Sequence, residues 1–437
     1  MLESQLAGCG PLHLHRRTLL RAAGWSGVSW MTPVARLLSR ASEARPQEQP
    51  AQSVILLWMA GGPSQLDTFD PKPGTAIGGT TRSRSTNAAG VEIAQGLEQI
   101  ADWMHRLSLV RSVVSKEGDH ERATYAIKTG YRPDPTLVHP AIGAIICHQL
   151  QDEVEIPRHV SILPGQWPAR GGYLGAQFDA FKVYDPQGSI PDVTAPVSQD
   201  RFQQRIADLA VVEAEFARGR LRRMDEDRTL SRSTTQAAVR MMSSEQLQAF
   251  DIQQEPIAVR RAFGDTPFGR GCLAAARLID VGVRCVEVTL GGWDSHVNNQ
   301  ETQAERIREL DPAFASLLRY LDEHQRLDST VVLWGGEFGR TPRINPAGGR
   351  DHWPHGFTIA LAGGRIARGR VIGETSPEPR EDGKDWTDHL RHPRPIGDIH
   401  ATVLMALGIR HDHEMITPIG RPMAFTEGNP IRELLTS

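Results

Sequence analysis

Four stretches of this sequence gather residues that bind cations or move protons, each just after an apolar run. The plainest is Trp293-Asp294-Ser295-His296-Val297-Asn298, which follows residues 283–290 and a double glycine. Asp294 and His296 are two positions apart, so in extended backbone their side chains point the same way. A carboxylate and an imidazole converging on one point are a sensible pair of ligands for a divalent metal. Ser64, Asp67 and Asp70 follow a run at 53–59, and Asp119, His120, Glu121 and Arg122 follow one at 108–114. Glu337, Arg340, Asp351, His352 and His355 follow a fourth at 330–334. Each cluster alone has an ordinary explanation, since Asp and Asn cap helices and Arg ties loop carbonyls. All four together favour a hard or borderline cation (Zn²⁺, Mn²⁺, Mg²⁺ or Ca²⁺), because no cysteine lies among them. Arg122 and Arg340 are candidates for holding an anionic substrate, since a guanidinium grips phosphate or sulfate bidentately.

Residues so far apart meet only if the elements before them are aligned. The runs at 53–59, 108–114, 159–163, 283–290 and 330–334 are short, apolar and rich in β-branched residues, as central strands are. Helical spacing is predicted for 96–105, 120–128, 138–150, 268–281 and 300–324. Alternating strands and helices imply an α/β fold, with a mostly parallel sheet and helices on both faces. In such a sheet, ligands bind beyond the carboxyl ends of the strands, where all four polar clusters fall. The middle of the chain breaks the alternation. Residues 199–255 are charged and helical, with Leu209, Val212, Phe216 and Leu221 spaced to make a face, and read as a helical insertion.

The composition is that of a globular protein: 39% hydrophobic and 23% charged, with a net charge of -3 over 437 residues. Without a basic excess, nucleic acid is not an expected partner, and no apolar run is long enough for a transmembrane anchor. Residues 1–44 differ from the rest. Arg16-Arg17-Thr18-Leu19-Leu20, a modestly apolar stretch and Ala41-Ser42-Glu43-Ala44 have the layout of a twin-arginine signal peptide. Export by the twin-arginine machinery to a periplasmic or extracellular location is therefore expected. A polar linker at 45–52 precedes a single domain over 53–437. Cys147, Cys272 and Cys285 sit among apolar residues and read as core thiols rather than a disulfide framework.

Several segments carry a resemblance: SVILLWMAGGPSQLDTFDPKPG, CLAAARLIDVGVRCVEVTLGGWDSHVNN, VVLWGGEFGRTPRIN, GRDHWPHGFTIALAGG, GDIHATVLMALGI and GRPMAFTEGNPIRELL. They resemble, in order, the DUF1501 family of exported bacterial proteins, which is similar in fold to sulfatases and alkaline phosphatases. The resemblance implies an alkaline phosphatase-like domain and metal-dependent hydrolysis of phosphate or sulfate esters. It makes Asp67 the first metal ligand, Asp294 and His296 the later Asp/His pair, and His400 a last ligand. Two positions depart from the wider pattern. The nucleophile position falls on His120, which is open to two roles, metal ligand or phosphoryl acceptor. The usual Asp-His-Gly stands here as Glu337-Phe338-Gly339, so Glu337 is the matching ligand, and Asp351-His352 are placed to supply the missing imidazole. The competing reading is a non-catalytic protein that keeps the fold and metal and binds an anionic small molecule, a glycan or a protein partner.

Overall fold

The computed structural model describes residues 49–150, 154–188, 190, 193–217, 234–378 and 389–436. A nine-stranded sheet organises them. In chain order its strands are β1 (Ser53–Met59), β2 (Leu107–Val114), β3 (His159–Ile162), β4 (Phe181–Val183), β5 (Cys285–Leu290), β6 (Thr330–Gly335), β7 (Phe357–Gly363), β8 (Val371–Ile372) and β9 (Arg394–Pro395). Across the sheet the order is β8-β2-β7-β6-β1-β5-β3-β4, with β9 also pairing β2. Every pairing is parallel except those of β7, which runs antiparallel to both β2 and β6. The α/β class with a mostly parallel sheet is therefore what the structure has.

The central strand shows why helices flank both faces. Alternate side chains of a strand point to opposite sides. Ile55, Leu57 and Met59 of β1 join one core with helices α4 (Pro267–Asp280) and α5 (Asn299–Glu323). Val54 and Trp58 join a second core on the opposite face, with α1 (His120–Thr129), α2 (Ile142–Gln149) and α6 (Ile396–Ala406). Cys147, Cys272 and Cys285 are buried thiols. No helix among the described residues is long and apolar enough to cross a membrane.

Some expectations shift. The helix predicted from 138 begins only at Ile142, because Pro140 disfavours helical backbone at the residue before it. α3 (Gln199–Ala217) forms as expected, but Leu209, Val211 and Val212 on it are exposed, so this part of the 199–255 segment does not bury its apolar residues among the described ones. Leu221 lies outside the described residues. β7 has no counterpart among the strands predicted from periodicity: its sequence, FTIALAG, is buried on both sides and so has no alternation to read.

Candidate metal centre

Three adjacent parallel strands deliver the core of the site. β5, β1 and β6 lie side by side, with Met59 opposite Leu290 and Trp58 opposite Gly335. Their carboxyl ends therefore open at one edge, where β1 gives the turn Gly61-Gly62, β5 gives Trp293 to His296, and β6 gives Glu337 to Arg340. The turn needs glycine. Both residues have positive φ, and a Cβ on Gly61 would lie 2.5 Å from the Asp294 nitrogen, while one on Gly62 would lie 2.6 Å from the Phe338 ring. His120 arrives from the first position of α1, which Asp119 caps by accepting from the Arg122 amide at 3.1 Å.

His352 arrives by a different route. Gly339–Arg340 pairs antiparallel with His352–Trp353, setting His352 opposite Arg340. Because β7 runs against its neighbours, the segment that leads into it lies at their carboxyl edge, and His352 is in that segment. Its imidazole stacks on Phe338 with ring centroids 4.4 Å apart, and the His120 ring sits 5.0 Å from the same phenyl. A phenyl thus fills the place of the expected imidazole, and a histidine from fourteen positions on lies across its face.

The hydrogen bonds settle the orientation of all three imidazoles. His120 Nδ1 is 2.8 Å from Glu337 Oε1, which also accepts from the Gly61 amide at 2.8 Å. His296 Nδ1 is 2.8 Å from Asp351 Oδ1, and His352 Nδ1 is 2.8 Å from the Gly118 carbonyl. A carboxylate or carbonyl oxygen only accepts, so each Nδ1 carries a proton, and in the neutral ring each Nε2 presents a lone pair. Those lone pairs converge on Asp294. His296 Nε2 is 3.0 Å from His352 Nε2 and 3.1 Å from Asp294 Oδ1, and His352 Nε2 is 3.4 Å from the same oxygen. His120 Nε2 is 3.4 Å from Asp294 Oδ2. His120, Asp294 and His352 each offer a ligand atom, all within 4.8 Å of one another.

Electrostatics match this arrangement. The hydrogen bond to Glu337 is the largest influence on His120 and, with the Glu337 and Asp294 charges, raises its pKa against the opposing effect of burial. Burial works against ionisation of Asp294, but Arg340, His120 and His296 together outweigh it and hold the carboxyl below the usual range. Burial pushes His352 down, and the Arg340 and His120 charges add to this. Glu337 and Arg340 are buried, whereas Asp294 and His296 are nearly half exposed, so the cluster opens to solvent on their side.

Of the residues singled out from sequence, the fold brings together His120, Asp294, His296, Glu337, Arg340, Asp351 and His352. Asp67, Arg122 and His400 it places elsewhere. Asp67 was expected as the first metal ligand, yet its carboxylate is buried and fully engaged by Arg350 Nε at 3.0 Å, Asn299 Nδ2 at 2.7 Å, Ser64 Oγ at 2.5 Å and Thr81 Oγ1. It ties three loops together. Arg122 was expected to grip substrate, but its guanidinium is committed to Glu117 at 2.7 and 3.2 Å. Arg340 is in the cluster but is not an anion clamp. Its donors go to the Gly61, Gly62 and Arg350 carbonyls and, at 2.6 Å, to Asp294 Oδ1. Its task is to hold Asp294.

His400, expected as a last ligand, is buried in the second core, where Nε2 donates to the Ile127 carbonyl at 2.7 Å. Burial lowers its pKa to about 4. A histidine that stays neutral when folded but titrates near pH 6.5 when unfolded takes up its proton only in the unfolded chain. Its contribution is therefore complete above pH 6.5 and erodes as the pH falls towards 4, costing about 2 kcal/mol by pH 5. Urea unfolding at pH 7.5 and pH 5 is expected to show wild type losing about that much more than His400→Leu. Equal losses in the two proteins would clear His400 of the effect.

Sequence reasoning missed the Gly118 carbonyl and the Gly61 amide, since backbone groups have no residue signature. It also missed Arg350, although Arg350-Asp351-His352 runs straight into the site.

A comparison with curated proteins finds no match for this sequence. Among solved structures, the chain is similar to a lipoteichoic acid synthase from Listeria monocytogenes (TM-score 0.42, 9% identity, 87% of this chain and 75% of that one). It is also similar to a phosphonate monoester hydrolase from Silicibacter pomeroyi (TM-score 0.41, 11% identity, 88% and 76%). A third is the C-terminal periplasmic domain of EcEptC from Escherichia coli in complex with Zn (TM-score 0.37, 11% identity, 89% and 93%). Likenesses this remote identify neither substrate nor reaction. The sequence itself is decisive about family: residues 51–435 match the model described as protein of unknown function (DUF1501), and the chain belongs to that family.

Proposed function

We propose that this protein is a metal-dependent hydrolase of phosphate or sulfate esters, with the cation held by His120, Asp294 and His352 and with His296 at the rim. The observation that carries the reading is the convergence of three Nε2 lone pairs on one carboxylate. Ligand atoms around a tetrahedral ion with bonds of about 2.0–2.1 Å lie about 3.3 Å apart, and within this set His120 Nε2 to Asp294 Oδ2 and His352 Nε2 to Asp294 Oδ1 are both 3.4 Å. Each imidazole is oriented through Nδ1 by an outer oxygen, the arrangement usual behind metal-bound histidine. Imidazole with carboxylate suits Zn²⁺ better than Mg²⁺ or Ca²⁺, which prefer oxygen. When bound, the cation supplies positive charge that polarises a phosphoryl or sulfuryl oxygen.

The chain's own groups divide the remaining work. Glu337 fixes the His120 tautomer, Asp351 that of His296, and Arg340 holds Asp294 ionised. Neither nearby hydroxyl is available: Ser64 donates to Asp67, and Thr124 is buried within α1. Water is therefore the attacking group in this reading. The test is turnover of a panel of aryl phosphate and sulfate esters before and after chelation. Activity should vanish with the metal and return with Zn²⁺ or Mn²⁺. A fully metallated protein that turns over none of the panel would count against hydrolysis. A second reading, a non-catalytic binder of an anionic small molecule, a glycan or a protein partner, is favoured by one observation: His120 stands at the position of the usual nucleophile, and the nearby hydroxyls of Ser64 and Thr124 are engaged or buried.

The export signal belongs to the same proposal, although residues 1–44 lie outside the described ones. The double variant Arg16→Lys/Arg17→Lys is expected to leave nearly all of the protein inside the cell, read by fractionation. Unchanged export would remove the twin-arginine route.

A further inference from the structure

Beside the histidine cluster lies a cleft of about 860 Å³. It lies within the size range of small-molecule sites, and His352 belongs to both its wall and the metal cluster. Thr75, Thr341, Arg343, His355, Glu378 and His389 supply the rest of its polar lining, and Ile77, Pro342, Trp353, Pro354 and Pro377 give it an apolar wall. Two of these, Ile77 and Trp353, are core-buried and therefore fixed. Pro342 belongs to the loop that Arg350 braces by donating to the Thr341 and Pro342 carbonyls at 3.0 and 2.5 Å. The cleft is thus built from braced segments and opens onto the same imidazole that the metal centre uses.

We infer that this cleft receives the organic body of the substrate, so that the esters this site takes carry a flat, ring-bearing apolar group rather than a small alcohol. The inference rests on the hydrolase reading for the position of the charged end and on the cleft alone for the body. A pocket with an imidazole end and walls of proline, isoleucine and tryptophan gains by burying apolar surface. A small alkyl ester would leave most of it in contact with water.

The experiment uses phosphonates, which bind as ester mimics and are not hydrolysed. Calorimetric titration of the mature protein with 1-naphthylmethylphosphonate and with methylphosphonate should show the ring compound binding about tenfold or more tighter. Ala76→Trp, at an exposed position on the cleft wall, should abolish that preference while leaving metal content and methylphosphonate affinity unchanged. Pro377→Trp obstructs from a different segment and guards against a folding defect in the first variant. Equal affinity for both ligands in wild type, or a preference that survives both obstructions, overturns the cleft assignment. Metal content, measured in parallel, separates the two ideas. A metallated protein without ring preference loses the cleft and keeps the centre. A ring preference in a protein that never takes up metal keeps the cleft and loses the centre. Binding of neither ligand removes the cleft, whatever the metal content.

Discussion

His352→Ala is expected to weaken metal affinity by far more than any change behind the ligands does. His352 Nε2 lies within 3.4 Å of both the His296 nitrogen and an Asp294 oxygen, so deleting it opens one corner of the set. The companion variant, Glu337→Gln, keeps all the ligands and alters only what orients His120. Loss of an outer-shell partner of this kind costs roughly 10–100-fold in metal affinity. Competition against a chelator for Zn²⁺ should rank the proteins wild type, Glu337→Gln, His352→Ala, with the last weaker by more than that factor. Phe338 supports the comparison, because it stays in place under the vacated ring and keeps the pocket from collapsing. If His352→Ala titrates like wild type, the centre is not where the lone pairs meet.

The second large effect concerns stability and lies away from the histidine cluster. Lys128 and Glu287 form a buried pair 2.9 Å apart inside the fold. The ammonium also donates to the Trp167 carbonyl at 3.0 Å and lies 4.9 Å from the centre of the Trp58 ring. Glu287 Oε1 additionally accepts from Ser161, whereas Oε2 has no hydrogen-bond partner among the described residues. Lys128→Met would leave this carboxylate buried beside a thioether, and breaking a buried pair by removing one partner typically costs about 3–5 kcal/mol. The double variant Lys128→Met/Glu287→Met removes both charges and should recover most of the loss, since an apolar pair of similar volume is often neutral. Urea midpoints of the three proteins measure it. A single variant as stable as wild type would mean that the pair is not charged in the fold.

Much of this could be read from the chain, and the parts that could not share a cause. SVILLWM and TVVLW are continuous apolar runs, so the central strands were visible, as was the crowding of Asp, Glu and His at their ends. What local pattern cannot say is which of those groups already has a partner. Asp67 and Asp294 look alike in sequence. They differ because Arg350, far along the chain, covers one completely, while Arg340 leaves the other half exposed among imidazoles. His400 was a ligand only by resemblance, and in the fold it is buried, with Nε2 held by the Ile127 carbonyl. β7 escaped notice because a strand buried on both faces has no period, and its reversed direction is set by its neighbours rather than by its residues. That reversal is also why His352, which precedes a strand, shares an edge with groups that follow theirs.

The place of β7 between β2 and β6 bears on how the molecule is made. During synthesis, β1, β2, β5 and β6 have all emerged before residue 357, yet β2 cannot join the others until β7 fills the gap. Until then the ribosome carries a chain in which the β2 and β6 edges that face the gap are unpaired and His352, five residues before β7, is newly exposed. Such edges recruit other chains, and pairings over this separation form slowly. Assembly therefore finishes late, and a stalled or truncated product ending before 363 is an aggregation hazard in which β2 and β6 remain apart.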